Sequence, residues 1–336
     1  MRFIIPLTVA TFGTLSSVAQ AEVPKVVTDI PAVQSLVAQV MGDLGQPTVL
    51  LGQNADAHHY QLKPSQAGEL QDANLVVWIG PRLTPWLERA IDGLGAQDHA
   101  LGLLGAPGAH VRQFSGTDPH DHSADMDDDE DHDAHDHAAE DHAAEDHAAE
   151  DHDAHESEDA ASNIDPHAWL DPDNAKVWLG LIAQDLGKLD PENAKTYESN
   201  AKAAQARVIE MDERLKAQFA PVQDRPFLVY HAAYGYLADH YGLHIAGSLS
   251  PSDATTPGAA HLVSLRDEAN SDKIYCAFPE VQHDPKMVEI LVDGTPVKLG
   301  GGLDPSGTTL TYGPGLYEAL MQNTADTITA CLSSQD

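Results

Sequence analysis

Two hydrophobic periodicities alternate along this chain, and most of its length can be assigned from them. Residues 25–30 form a β-branched run, after which Pro31 opens a helical pattern with Val33, Leu36, Val37 and Val40 on one face. Residues 48–51 read as a second short buried strand, and residues 64–70 can carry the next helix. Leu75-Val76-Val77-Trp78-Ile79 is a third apolar strand ending at Gly80, followed by an amphipathic segment around Trp86, Leu87 and Ile91. Strand and helix in alternation point to a parallel sheet covered by helices. Ligands of such sheets bind beyond the carboxyl ends of the strands, so the loops that follow those ends are where chemistry is expected.

The strongest helical pattern lies in the middle. Asp190 suits an N-cap and Pro191 the first helical position, and from there Tyr197, Ala201, Ala204, Val208, Met211, Leu215 and Phe219 recur at steps of three and four up to Pro221. A helix of roughly 28 residues would be about 42 Å long, more than a crossover within one lobe needs. It reads as a rigid connector. Beyond it the first pattern returns, with strands at 227–230, 244–248, 273–278 and 297–299, a helix capped by Thr256-Pro257 and running through Glu268, and a closing helix over 314–332. The expected fold is therefore α/β: two lobes with mainly parallel sheets, 22–189 and 221–336, joined by a backbone helix over 190–220. The cleft between such lobes is a usual place for a ligand.

Two stretches stand outside this pattern. Residues 1–21 have Arg2 as a positive start, an apolar run from Phe3 to Ala10, and Ala19-Gln20-Ala21 as a small-x-small cleavage site, so they read as a signal peptide and the mature chain as beginning at Glu22. No later stretch approaches the roughly 18 apolar residues of a membrane span, and the product is expected to be soluble and exported. Export gives Cys276 and Cys331 a meaning, because an even pair in an oxidising compartment favours a disulfide.

The second exception is residues 118–163, which hold nine of the nineteen histidines and twenty of the fifty-three acidic residues and no Lys, Arg, aromatic, Val, Ile or Leu. Such a segment cannot bury enough apolar surface to offset its ordering entropy and reads as a solvated loop. Its HAAED units step the imidazoles around a helix by about 140°, so helical geometry would not align them. Imidazole and carboxylate are both ligands for zinc and other divalent transition metals, and His120, His122, His132, His135, His137, His142, His147, His152 and His155 read as a weak, multi-site metal store. Of the formal charge of −35 this stretch contributes −20, leaving −15 elsewhere. An acidic surface without a basic patch argues against nucleic acid as a partner.

Three segments place histidines outside that stretch where a strand has ended or a polar loop begins: His58 and His59 in NADAHHYQLKPS, His167 in IDPHAWLDP, and His231 in FLVYHAAYGY. A lone histidine in any of these places is most often structural. Three of them at the loop mouths of facing lobes suggest a shared site.

These motifs resemble the periplasmic solute-binding proteins of bacterial zinc ABC uptake systems, the ZnuA family. The resemblance covers essentially the whole mature chain. It rests on H-x-Y-x-L-x-P-S at 58–65, D-P-H-x-W-L-x-P at 165–172, Y-H-x-x-Y-G-Y at 230–236 and L-D-P at 303–305, together with the acidic histidine-rich insertion and the late cysteine pair. It implies two α/β lobes, a long linking helix and metal in the cleft, with His58, His167 and His231 as imidazole ligands. His59 is the rival of His58. Asp304 matches the family's acidic position near the site. Other zinc-uptake members carry a Glu just before the first histidine where this chain has Ala57, so the fourth position falls to Asp304, a water or a histidine of the acidic stretch. Glu280, in an F-P-E segment, is a further rival or a structural residue.

Three neutral imidazoles with at most one carboxylate suit tetrahedral Zn²⁺, whereas manganese prefers more oxygen ligands. The expected role is capture of Zn²⁺ as cargo and delivery to a membrane ABC permease by a monomer, with other periplasmic metallochaperones as further partners and no chemical reaction. Two readings stand beside it. One is a zinc hydrolase, for which there is no H-E-x-x-H and Glu280 is the only obvious base. The other is a periplasmic metal buffer whose histidine-rich stretch is the functional part.

Overall fold

The computed structural model describes residues 22–114, 163–250, 257–271 and 274–334. The expected signal peptide, Thr256 and the nine histidines of the acidic stretch lie outside these described residues.

The first lobe runs β1 (Val26–Thr28), α1 (Pro31–Met41), β2 (Thr48–Val49), α2 (Pro64–Gln71), β3 (Leu75–Trp78), α3 (Pro85–Leu94) and β4 (Ala100–Gly102). Its strands pair in parallel in the order β2-β1-β3-β4. Helices α4 (Pro172–Leu189) and α5 (Ala194–Phe219) follow. The second lobe contains β5 (Phe227–His231), α6 (Gly235–Tyr241), β6 (Ile245–Ser250), α7 (Ala259–Ser271), β7 (Cys276–Phe278), α8 (Lys286–Val292), β8 (Lys298–Leu299) and α9 (Leu316–Ser333). Its sheet repeats the plan in parallel as β6-β5-β7-β8. Each lobe thus places its first strand inside the sheet and crosses over it to build the third.

Successive strand residues point to opposite faces, and the composition follows that parity. In the first sheet Val27, Val76 and Trp78 face outward onto Trp86, Leu87 and Ile91 of α3. In the second, Leu228 and Tyr230 face outward onto Leu265, Val288 and Leu291. The opposite parity, Val26 and Val77 in one lobe and Phe227 and Val229 in the other, joins one apolar cluster that also takes in α1, α4, α5 and α9. The two lobes therefore share an inner core. A large apolar interface of this kind opposes free relative motion of the lobes.

Sharing the core changes several elements from their sequence expectation. In α1, ten of eleven residues are buried rather than one stripe, because the helix is covered on all sides. Its Ser35 hydroxyl donates to the Pro314 carbonyl and accepts from the Tyr317 N–H at the start of α9. The connector α5 begins at Ala194, not Asp190, because the Asp190 carboxylate holds a turn instead: it accepts from the side chains of Asn193 and Tyr197. Helix α4 is not anticipated by the pattern reading, although its signals are present: Asp171 caps it by accepting from Asp173 N, Pro172 occupies the first position, and Leu179, Ile182 and Leu186 are buried at steps of three and four. Antiparallel to α5, it makes the connector a helical hairpin rather than a lone rod. Cys276 of β7 and Cys331 of α9 form a disulfide across 55 residues of sequence. Constraining a loop of that length removes roughly 4 kcal/mol of unfolded-state entropy in the chain-entropy model. No helix among the described residues is long and apolar enough to cross a membrane.

Candidate metal centre

His58 lies in the loop that leaves β2. Asp56 organises it, accepting from the His58 backbone N–H at 2.8 Å through one oxygen and facing His59 Nδ1 at 3.1 Å with the other. The same carboxylate thus turns His59 out to solvent and leaves the His58 ring directed inward. Tyr60 of this motif lies against Trp86, whose indole N–H donates to the Ala57 carbonyl at 2.8 Å, and Pro64 opens α2. His167 precedes a short turn at Ala168–Leu170 that leads into α4. Asp165 Oδ1 holds it twice, at 2.9 Å from the backbone N and 2.8 Å from Nδ1. Trp169 anchors the segment by donating to the Pro305 carbonyl. His231 is the last residue of β5, on the inward parity of Phe227 and Val229, and its Nδ1 meets Glu280 Oε1 at 2.5 Å just past β7.

The three rings converge. His167 Nε2 is 3.3 Å from His58 Nε2 and 3.3 Å from His231 Nε2. Donors at about 2.0–2.1 Å from a tetrahedral zinc stand roughly 3.3–3.4 Å apart, so the observed separations equal edges of that shell. For His167 and His231 the carboxylate behind Nδ1 assigns the ring N–H to that side and turns the Nε2 lone pair toward the common centre. Facing lone pairs at this distance repel unless a cation lies between them. His167 and His231 are buried, at 3% and 1% exposure, and His58 is half-buried, so the centre opens to solvent on the His58 side.

The other candidates lie elsewhere. His59 is exposed beside Asp56 and is not part of the group. Asp304 is also outside it, because its carboxylate organises a turn: Oδ1 accepts from Gly307 N, Thr308 N and Gln282 Nε2, and Oδ2 from Thr309 N and Oγ1. Glu280 stands behind His231 rather than beside the common centre. Sequence reasoning did not assign Asp165 a role; its place two residues before a candidate ligand, where an Asp can bond the following backbone, was the available signal.

A second grouping, Asp171, Asp173 and His240, was not foreseen. His240 Nε2 faces Asp212 Oδ1 at 2.8 Å and Nδ1 faces Asp171 Oδ1 at 3.2 Å, while His110 Nδ1 meets the other Asp171 oxygen at 2.9 Å. Burial would push the His240 imidazole down, but the hydrogen bonds and charges of Asp171 and Asp212 hold it above its ordinary value. Burial likewise opposes the Asp171 carboxylate, and the bonds from His240, His110 and Asp173 N outweigh it and keep it low. With both ring nitrogens on carboxylates, His240 ties the first lobe, the connector and the second lobe together.

Comparison with known proteins bears on the first grouping. Residues 26–331 match the model of the family described as ZnuA, zinc-uptake complex component A, periplasmic. The chain belongs to the ZnuA family. It is 49% identical over 325 residues to the high-affinity zinc uptake system protein ZnuA of Paracoccus denitrificans, covering 97% of each chain. It is 37% identical to the protein of that name from Brucella suis, over 96% of this chain and 95% of the relative. Among solved structures, a crystal structure of ZnuA superposes with a TM-score of 0.68 at 23% identity, over 92% of this chain and 99% of the other. The periplasmic zinc binding protein TroA of Treponema pallidum gives 0.70 at 20% identity, over 92% and 99%. These last two likenesses are of fold. The ZnuA fold is thus the one described here, two parallel-sheet α/β lobes.

Proposed function

We propose that this chain captures Zn²⁺ between its lobes through Nε2 of His58, His167 and His231 and passes it to a membrane permease. The protein is the periplasmic zinc-binding component of a zinc-uptake complex, and zinc is its cargo, so no bond is made or broken in its role. The observation that carries the ligand assignment is the convergence of three Nε2 atoms at 3.3 Å steps. With Asp304 held in its turn, the fourth position falls to water or to a histidine of the acidic stretch. In this reading residues 1–21 are removed on export, and 22–189, 190–220 and 221–336 form lobe, connector and lobe. The protein acts as a monomer, the permease is of the ABC type, and the nine histidines of 118–163 hold further zinc weakly.

Zinc affinity measured by chelator competition tests the assignment. His231→Ala should lose the tight ion, a larger effect than the roughly 10–100-fold typical of removing a carboxylate behind a ligand. Unchanged tight binding in His231→Ala would place the cargo site elsewhere.

A further inference from the structure

The residues that pin the root of the histidine-rich stretch are not accounted for by ligation. Residues 112–114 run beside 163–165: Gln113 and Ile164 form an antiparallel bridge, Asp165 N donates to the Arg112 carbonyl at 3.0 Å, and Phe114 N to the Asn163 carbonyl at 2.9 Å. The chain therefore leaves toward the stretch and returns from it through one small two-stranded root. Its returning strand ends two residues before His167.

Helix α6 of the second lobe grips this root. The Tyr236 hydroxyl accepts from Arg112 N at 2.8 Å and donates to the Asp165 carbonyl at 3.1 Å. Burial pushes that hydroxyl up to about 12, so it keeps the proton it donates. The Arg112 side chain then spans two carboxylates: Nε donates to Asp239 Oδ2 at 2.8 Å, and Nη1 to Asp165 Oδ2 at 3.2 Å. Asp165 is fully buried, and its other oxygen holds His167. A buried carboxylate needs a paired cation, and the planar fork of arginine can serve two acceptors at once in a way a lysine cannot. Gly235 makes room for that fork, since a β-carbon there would stand 2.4 Å from the guanidinium carbon. The Gly and the last Tyr of the Y-H-x-x-Y-G-Y motif are thus explained by what they hold, four and five residues from the ligand His231.

We propose that Arg112 is a positioning residue for zinc binding: seated on Gly235 between Asp165 and Asp239, it fixes the carboxylate that aims His167 and ties this first-lobe ligand to the second lobe. The inference rests on His167 being a ligand, as proposed above. Removing the fork takes the cation from Asp165 Oδ2 and leaves the bonds of Oδ1 to His167 N and Nδ1 as the carboxylate's remaining anchor, so the aim of the Nε2 lone pair loosens.

The test uses the full chain with zinc competition for affinity and Co²⁺ below one equivalent as a spectroscopic probe, so that the tight site fills before the weak histidines. Arg112→Gln and Gly235→Ala should each weaken zinc about tenfold, the lower end for residues behind a ligand, and change the visible Co²⁺ band. Gly235→Ala keeps every polar group and carries the test if Arg112→Gln does not fold. If both variants unfold at lower temperature yet keep the wild-type band and affinity, Arg112 is only a structural tie and the inference is overturned. His167→Ala separates the two levels. Retention of the tight ion in that variant defeats the ligand assignment itself, whereas its loss beside unperturbed Arg112→Gln and Gly235→Ala defeats this inference alone.

Discussion

The two lobes share one sheet plan and use the same point in it for different ends. In the first sheet Thr28 pairs with Val77, and in the second Val229 pairs with Phe278 at the equivalent register. Two residues further along, the first lobe has Ile30 and Ile79, both fully buried in the shared core. The second lobe has His231 and Glu280 at those places, bonded to each other at 2.5 Å. The gap between the first and third strands of the first lobe is closed by Asp29, whose carboxylate accepts from the backbone N–H of Ile30 and Ile79. In one lobe the crossover point is therefore core, and in the other it presents an imidazole from the rigid end of a strand. The first lobe must bring its two histidines in on loops, and each loop carries its own aspartate, Asp56 or Asp165, to orient it.

The most direct way to break this contrast is to make the second crossover point like the first. His231→Ile with Glu280→Ile should fold with the same secondary structure by circular dichroism and lose tight zinc, a drop beyond the roughly 100-fold upper range for residues behind a ligand. Retained tight binding would mean that the loops of the first lobe suffice. Glu280→Gln, which keeps an acceptor but not the charge, should weaken zinc roughly 10–100-fold. Asp165→Asn provides the matching measurement in the first lobe, and comparable losses would show that strand-borne and loop-borne ligands depend equally on their carboxylates. Asp304→Ala should leave zinc affinity within about twofold while lowering stability by about 1–3 kcal/mol in urea, the range for stranding donors that had a charged acceptor. A large affinity loss there would restore Asp304 to the site.

The smallest effect concerns the tie between the lobes. His240 titrates above its ordinary 6.5 in the folded protein, so its contribution is complete below that pH and is lost as pH rises through the raised value. Asp171 and Asp212 titrate below their ordinary 3.8, so their contributions are present above that pH and are lost as pH falls through the lowered values. The thermal midpoint of the wild type should therefore decline on the alkaline side relative to His240→Gln, which has no such proton to lose. A constant difference between the two proteins across about pH 5–9 would show that the proton on His240 is not part of the tie.

Much of the architecture was legible in the chain because it follows from local pattern. The β-branched runs at 25–30 and 75–79 and the apolar spacing from Tyr197 to Phe219 appear as β1, β3 and α5. Errors arose where a side chain or a helix face serves a partner that its own periodic pattern does not reveal. Asp190 looks like an N-cap but holds Tyr197, and α1 looks one-faced but is buried all round by helices from both halves. At the metal centre the motifs carried His58, His167 and His231 into view, yet equally polar neighbours could not be ranked by pattern. His59 and Asp304 satisfy the same residue-type criteria, and only their bonds to Asp56 and to the 307–309 turn remove them from the group.

By itself the sequence determined the principal strands and the long connecting helix, that two α/β units recur along the chain, and that imidazoles stand at the ends of three segments. These depend on periodicities and turn chemistry that act over a few residues. The tertiary structure decided which imidazoles meet, that Asp165 and Glu280 stand behind two of them, and that the histidine-rich stretch is rooted beside His167 under the grip of the second lobe. Those pairings join positions from 49 to 109 residues apart, apart from the local Asp165–His167 pair. They are set by how the parallel sheets and their shared core place loop ends in space, which no local pattern encodes.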